Sequence, residues 1–313
     1  MQLSPAPFHQ LADSRETPAE AYWLRSDDDV RLRAALWRAE DAAGTVLLFP
    51  GRTEYVEKYA PVAPALTGAG FNVLAIDWRG QGLADRLQAN PRPGHVEDFA
   101  QYQLDVLAIV EAAAALDLPE PWHLLGHSMG GAIGLAALYN GLPVETVAFS
   151  APMWGINHAP MPQAVATGLS ALARRLGKGG AAAFGTGGNG TYVVDEPFQN
   201  NLLTSDADAW ARMVREAGHW PELTLGGATY AWVAAALAEC RRLASEPSPD
   251  LPMLASLGSH ELVVSAPAIR ARAASWPAGR LLEVEGGHHE VMFEAPELQQ
   301  KFLDAAVDLF SGR

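Results

Sequence analysis

The sequence predicts an α/β fold: a mostly parallel central sheet flanked by helices and interrupted by a helical insertion. Three observations carry this. Short, continuous apolar runs such as Thr45-Val46-Leu47-Leu48-Phe49 and Phe71-Asn72-Val73-Leu74-Ala75-Ile76 have the pattern of strands buried on both faces, as in parallel sheets. Segments of helical periodicity alternate with them, which implies right-handed crossovers and a sheet covered on both sides. The rhythm breaks near Met153 and resumes at Leu251.

In chain order, Ala21-Tyr22-Trp23-Leu24-Arg25 and the alternating residues 30–37 flank Asp27-Asp28-Asp29, which reads as two strands joined by an acidic turn. The run at 45–49 ends at Pro50-Gly51 and precedes a helical stretch over residues 55–69. The run at 71–76 leads into Asp77-Trp78-Arg79-Gly80. Helical periodicity over 96–116, a strand at Pro121-Trp122-His123-Leu124-Leu125, a small-residue helix over 129–140 and a strand at 144–149 follow. From Pro152 to about Ala236 no buried strand is evident, and the Gly/Ala tract at 177–190 reads as flexible coil. Strands at 251–257 and 281–284 and a helix at 296–310 complete the chain. The expected organisation is a first core part at 1–150, a helical cap at 151–235 and a second core part at 236–313.

Composition narrows the function classes. The 313 residues carry 22 Lys and Arg against 36 Asp and Glu, so 22 − 36 gives a net charge of −14. That balance disfavours nucleic acid as a partner, because phosphate binding needs clustered cations. The single cysteine, Cys240, permits no internal disulfide and favours a reducing compartment. The start of the chain has no basic, apolar leader pattern, and no window reaches the roughly 18 apolar residues of a spanning helix. A cytoplasmic protein without an integral membrane segment is expected; the oligomeric state is left open.

The motif that carries chemistry is Gly126-His127-Ser128-Met129-Gly130. A G-x-S-x-G between a buried strand and a small-residue helix holds its serine on a sharp turn above the sheet edge. The helix N-terminus aims N–H groups at a developing oxyanion, with Met129 as one donor. A serine needs a base. In this arrangement the base follows the last strand and the acid lies between the two in sequence. Gly286-Gly287-His288-His289-Glu290 occupies the first place, with either histidine available. Glu261, the one carboxylate in Gly258-Ser259-His260-Glu261-Leu262-Val263-Val264, occupies the second. Neither a cysteine nor a histidine at i, i+4 accompanies the histidine pair, so no metal is expected. The loop Pro50-Gly51-Arg52-Thr53-Glu54 supplies the second oxyanion donor, the Arg52 N–H.

Together these motifs, with Asp77-Trp78-Arg79-Gly80-Gln81-Gly82 and Asn201-Leu202-Leu203-Thr204-Ser205-Asp206, resemble the bacterial lysophospholipase and monoacylglycerol lipase group of α/β-hydrolases, of the serine aminopeptidase S33 type. The likeness runs from about Trp23 to Phe310. It implies that Ser128 is the nucleophile, Glu261 the acid and His289, followed by Glu290, the base, with the Arg52 and Met129 amides as oxyanion hole. Pro50 stands where many relatives carry His, Glu261 where many carry Asp, and Ala84 where Ser is common. The implied reaction is carboxylic-ester hydrolysis through an acyl-enzyme, without cofactor, on a lysophospholipid-like or monoacylglycerol-like substrate. A general small-ester carboxylesterase and a non-catalytic binding protein of the same fold are the alternatives. The Arg52 guanidinium is a candidate contact for a phosphate headgroup or, equally, for a surface salt bridge to Glu54 or Glu57. Trp154, Met153, Met161, Trp210, Trp220 and Trp232 are candidates to line an apolar tunnel, though packing within the cap's own core is the favoured reading for any one of them.

Overall fold

The computed structural model describes residues 3–157 and 163–313. Met161 therefore lies outside the described residues. The strands are β1 (Ser4–Pro5), β2 (Glu20–Arg25), β3 (Arg31–Trp37), β4 (Gly44–Phe49), β5 (Phe71–Asp77), β6 (Trp122–His127), β7 (Thr146–Ser150), β8 (Met253–Gly258) and β9 (Gly279–Val284). Among the described residues they form one nine-stranded sheet ordered β1-β2-β3-β5-β4-β6-β7-β8-β9. β1, β2, β3 and β5 pair antiparallel, and every pair from β5 through β4 to β9 is parallel. The parallel centre explains the continuous apolar runs: all residues of β4, β5 and β6 are buried.

The helices are α1 (Ala63–Thr67), α2 (Gln101–Ala115), α3 (Met129–Tyr139), α4 (Gln163–Arg175), α5 (Tyr192–Asp195), α6 (Ala207–His219), α7 (Tyr230–Ser245), α8 (Ala266–Ala274) and α9 (Pro296–Phe310). One apolar cluster joins Phe49, Trp78, Tyr102 and Ile133 on one side of the sheet. A second joins Val46, Val73, Leu254 and Phe302 on the other. The alternation read from the sequence thus becomes two layers of helix around a buried sheet.

Several expected boundaries move, for local reasons. The helix expected over 55–69 is a 3-10 turn, Val56–Tyr59, followed by the five-residue α1. Pro61 and Pro64 lack the N–H that a continuous ladder needs. α2 begins at Gln101 rather than near 96; just before it, the Asp98 carboxylate reaches forward to accept the Ala100 N–H at 2.9 Å in a non-helical turn. β1 and α8 were not expected: two residues show no period, and α8 is short, with Pro267 in its first turn.

β7 and β8 are neighbours, paired from Val147↔Met253 to Ser150↔Ser256. The chain between them, containing α4 to α7, leaves the sheet and returns to the next position in it. α7 packs against both α3 and α4. Cys240, on α7, is buried and donates its S–H to the Met153 carbonyl at 3.4 Å. Burial raises its thiol pKa to about 12, so it packs as a small apolar residue. No helix of the described residues is long and apolar enough to cross a membrane.

Candidate active site

β6 ends at His127, and Ser128 turns the chain into α3 with φ 48° and ψ −116°. That conformation is strained for a residue with a Cβ, and hydrogen bonds on each side hold it. The Ser128 N–H donates to Ser150 O at 3.0 Å. The Ser128 carbonyl accepts from Gly131 N–H at 2.9 Å and Met153 N–H at 2.8 Å. Gly130 is required by close approach: a Cβ there would overlap the Phe49 carbonyl.

Two loops from the far end of the chain meet this turn. The loop after β9 brings His289 so that its Nε2 lies 2.9 Å from Ser128 Oγ. The loop after β8 brings Glu261, whose Oε2 lies 2.7 Å from His289 Nδ1. All three side chains are buried. Glu261 Oε1 accepts the N–H groups of Val263 at 2.6 Å and Val264 at 2.9 Å, which fixes the carboxylate plane. Burial pushes the Glu261 pKa up, but His289 and these amides outweigh it and hold it below the ordinary carboxylate range. The sequence left His288 and His289 open on residues alone; the structure places His289 on Ser128. His288 lies beside Glu294 instead, 3.3 Å from its carboxylate.

A buried ionic group lies behind the base. Lys58 Nζ is 2.7 Å from Glu54 Oε1 and 2.6 Å from Glu290 Oε1. Glu54 Oε2 also accepts Tyr59 O–H at 2.5 Å and the Gly51 N–H. Burial opposes the charge on Glu54, yet Lys58, His127 and Tyr59 bring its pKa to about 2. Glu290 goes the other way, raised by burial and by Glu54. Ligand atoms of Glu54, His127 and Glu290 converge as a metal site would, but the Lys58 ammonium already bridges the two carboxylates. The group ties Gly51, beside the expected oxyanion donor, to Glu290, beside His289. His127 completes the wall. Its ring lies 5.0 Å from that of His289, its Nδ1 donates to Ser150 O at 3.0 Å, and burial lowers its pKa to about 4. It is neutral at pH 7 and adds no charge beside the base.

The loop after β4 is held open from below. Trp78 Nε1 donates to Pro50 O at 2.9 Å and Gln81 Nε2 to Gly51 O at 3.0 Å, while Gln81 Oε1 accepts the Thr53 N–H at 3.0 Å. The carbonyls of Pro50 and Gly51 are thereby taken up by the Asp77-Trp78-Arg79-Gly80-Gln81 turn. Met129 is the first residue of α3, so its N–H has no acceptor within the helix. Reading the residues alone assigned the Asp77–Gly82 motif no task. Trp78 and Gln81, the residues of this turn whose side chains reach the loop after β4, are the available signal.

The remaining candidates are distributed differently. Trp154 is buried; its indole donates to Gly131 O at 3.2 Å and its ring stacks on Trp276 and meets Phe149 edge-on. It packs behind the Ser128 turn, in keeping with the packing role that is its alternative to a place in an apolar tunnel. Trp210 packs edge-on with Tyr192, and Trp220 stacks on His9. Trp232 is buried beneath the Arg52 guanidinium, 5.1 Å from the ring centroid. The segment 201–206 pins the base loop: Leu203 O accepts the Glu290 N–H at 2.8 Å, and Thr204 Oγ1 donates to Phe293 O at 2.8 Å.

A family model described as serine aminopeptidase, S33, matches residues 40–296. Lysophospholipase L2 of Escherichia coli K12 is 33% identical over 316 residues, covering 94% of this chain and 90% of that protein. The probable lysophospholipase L2 of Haemophilus influenzae is 29% identical over 262 residues, covering 82% and 80%. The crystal structure of Paleococcus ferrophilus monoacylglycerol lipase superposes with a TM-score of 0.72 at 22% identity, over 90% of this chain and 99% of that one. This last likeness is one of fold. By the extent of the family match and the identity to the Escherichia coli protein, the chain belongs to the serine aminopeptidase S33 family of α/β-hydrolases.

Proposed function

We propose that the chain hydrolyses the acyl ester of lysophospholipids, with monoacylglycerols as poorer substrates, through an acyl group carried on Ser128. It is a carboxylic-ester hydrolase, in keeping with its relatives. The observation that carries the mechanism is the unbroken line Ser128 Oγ, His289, Glu261 at 2.9 and 2.7 Å. His289 takes the Ser128 proton as Oγ attacks the ester carbonyl. Glu261 holds the imidazole with its Nδ1 proton inward and balances the imidazolium. The Arg52 and Met129 N–H groups receive the oxyanion. The same His289 then protonates the departing glycerol oxygen and activates water to release the fatty acid. In this reading residues 151–235 form a cap over the site between the two core parts, and the protein works in the cytoplasm.

Release of fatty acid from a lysophosphatidylcholine by purified enzyme, abolished in Ser128→Ala, is the expected result. Cleavage confined to short esters such as p-nitrophenyl acetate would favour the small-ester carboxylesterase instead.

A further inference from the structure

Among the described residues, three buried cations of the core answer to two carboxylates each. Arg33 pairs with Glu57 and Asp77, Lys58 with Glu54 and Glu290, and Arg79 with Asp28 and Asp105. Arg272, also buried, spends its guanidinium on the carbonyls of Leu243 and Glu246 at the end of α7. Arg52, a partly buried residue, has no carboxylate partner among the described residues. Its Nη2 donates to the Gly226 carbonyl at 2.9 Å, its plane lies over Trp232, and its buried Nε has no acceptor among the described residues. No carboxylate of the described residues stands among the groups that act on its charge; Tyr102 is the one neighbour that does. Withdrawing a cation from water without a counter-ion is costly even where the withdrawal is partial, and an anionic ligand would supply the missing charge.

We infer that the Arg52 side chain binds the phosphate of the substrate's headgroup; this rests on the function proposed above. Covalent lengths agree with it. The Arg52 N–H and the Arg52 guanidinium leave the same residue, separated by Cα, Cβ, Cγ and Cδ. In a lysophospholipid the ester oxygen and three glycerol carbons separate the acyl carbonyl from the phosphodiester. An ester carbonyl on the backbone amide of Arg52 therefore sets the phosphate within reach of the guanidinium of the same residue. Gly94 packs closely against the guanidinium, where a Cβ would come to 3.0 Å from Nη2, so a side chain at position 94 would compete for the same N–H groups. Burial lowers the Arg52 pKa to about 10, so the group is still cationic at pH 7. A guanidinium presents N–H groups to two phosphate oxygens at once, which an ammonium does not.

The test compares decanoyl lysophosphatidylcholine with monodecanoylglycerol, both below their aggregation limits. In Arg52→Gln the ratio of kcat/KM for the phospholipid to that for the glyceride falls about tenfold or more, chiefly through KM, with Arg52→Lys between the two. An unchanged ratio, both substrates losing equally, overturns the inference. A second arm uses the wild type: glycerophosphocholine inhibits monodecanoylglycerol hydrolysis competitively, and inorganic phosphate does so far more weakly. Absence of inhibition by glycerophosphocholine, or equal inhibition by phosphate, overturns the headgroup assignment even if Arg52→Gln fails to fold. A wild type that cleaves the glyceride but no lysophospholipid contradicts the proposed function, and the inhibition arm, repeated on Arg52→Gln with the glyceride as substrate, still reads Arg52 separately: inhibition by glycerophosphocholine that is undiminished in the variant overturns the inference.

Discussion

His289 Nδ1 lies 2.7 Å from Glu261 Oε2, while the other oxygen of that carboxylate is held by the amides of Val263 and Val264. The two amides dictate what a neutral isostere can do. In Glu261→Gln the side-chain oxygen must face Val263 and Val264, which leaves the amide NH2 facing His289. The imidazole is then driven to carry its proton on Nε2, the wrong side for taking one from Ser128. We expect kcat to fall by about three to four orders of magnitude at nearly constant KM, measured by steady-state hydrolysis.

The two histidines of the base loop separate sharply. His289→Ala removes the base and reduces kcat by about three orders of magnitude or more. His288→Ala removes a ring that sits beside Glu294 and His260, and its activity stays within a few-fold of wild type. Parallel kcat measurements on the two folded variants check this.

Lys58 is the cation that bridges Glu54 and Glu290. Lys58→Met leaves two buried carboxylates without their shared partner, and the expected loss is about 3–5 kcal/mol of unfolding free energy. Urea denaturation at pH 7 measures it.

The Glu54 carboxyl has its pKa lowered from 4.5 to about 2 in the folded protein. A lowered folded value means the charged form stabilises the fold. That contribution is complete above pH 4.5 and is lost as pH falls from 4.5 toward 2. The stability difference between wild type and Glu54→Gln therefore shrinks across this window, while above it the difference is flat. Denaturation curves at a series of pH values between about 7 and 3 show whether it does.

Much of this architecture is legible in the residues themselves. The runs at 45–49 and 71–76 are apolar throughout because β4 and β5 have neighbours on both sides and helices above and below. The order Ser128, Glu261, His289 is readable because loops after successive strands of a parallel sheet emerge at the same edge. Other features are hidden by the distances over which they form. Lys58 and Glu290 are 232 positions apart, and no local pattern announces that pair. The unpaired state of Arg52 is a property of its surroundings. Glu54 and Glu57 stand close to it in sequence and suggest acidic company, yet both are committed to Lys58 and Arg33. Trp154 reads as an apolar cap residue by position, but the chain turns inward after β7 and buries it against Phe149 and Trp276.

Activation of Ser128 by His289 is the claim on which the rest depends. Treatment of the folded protein with a fluorophosphonate, followed by peptide mass spectrometry, tests it most directly. One stoichiometric adduct on Ser128 is predicted, formed at a rate that drops steeply in His289→Ala. A folded wild type that takes no adduct, or takes it on another residue, contradicts it.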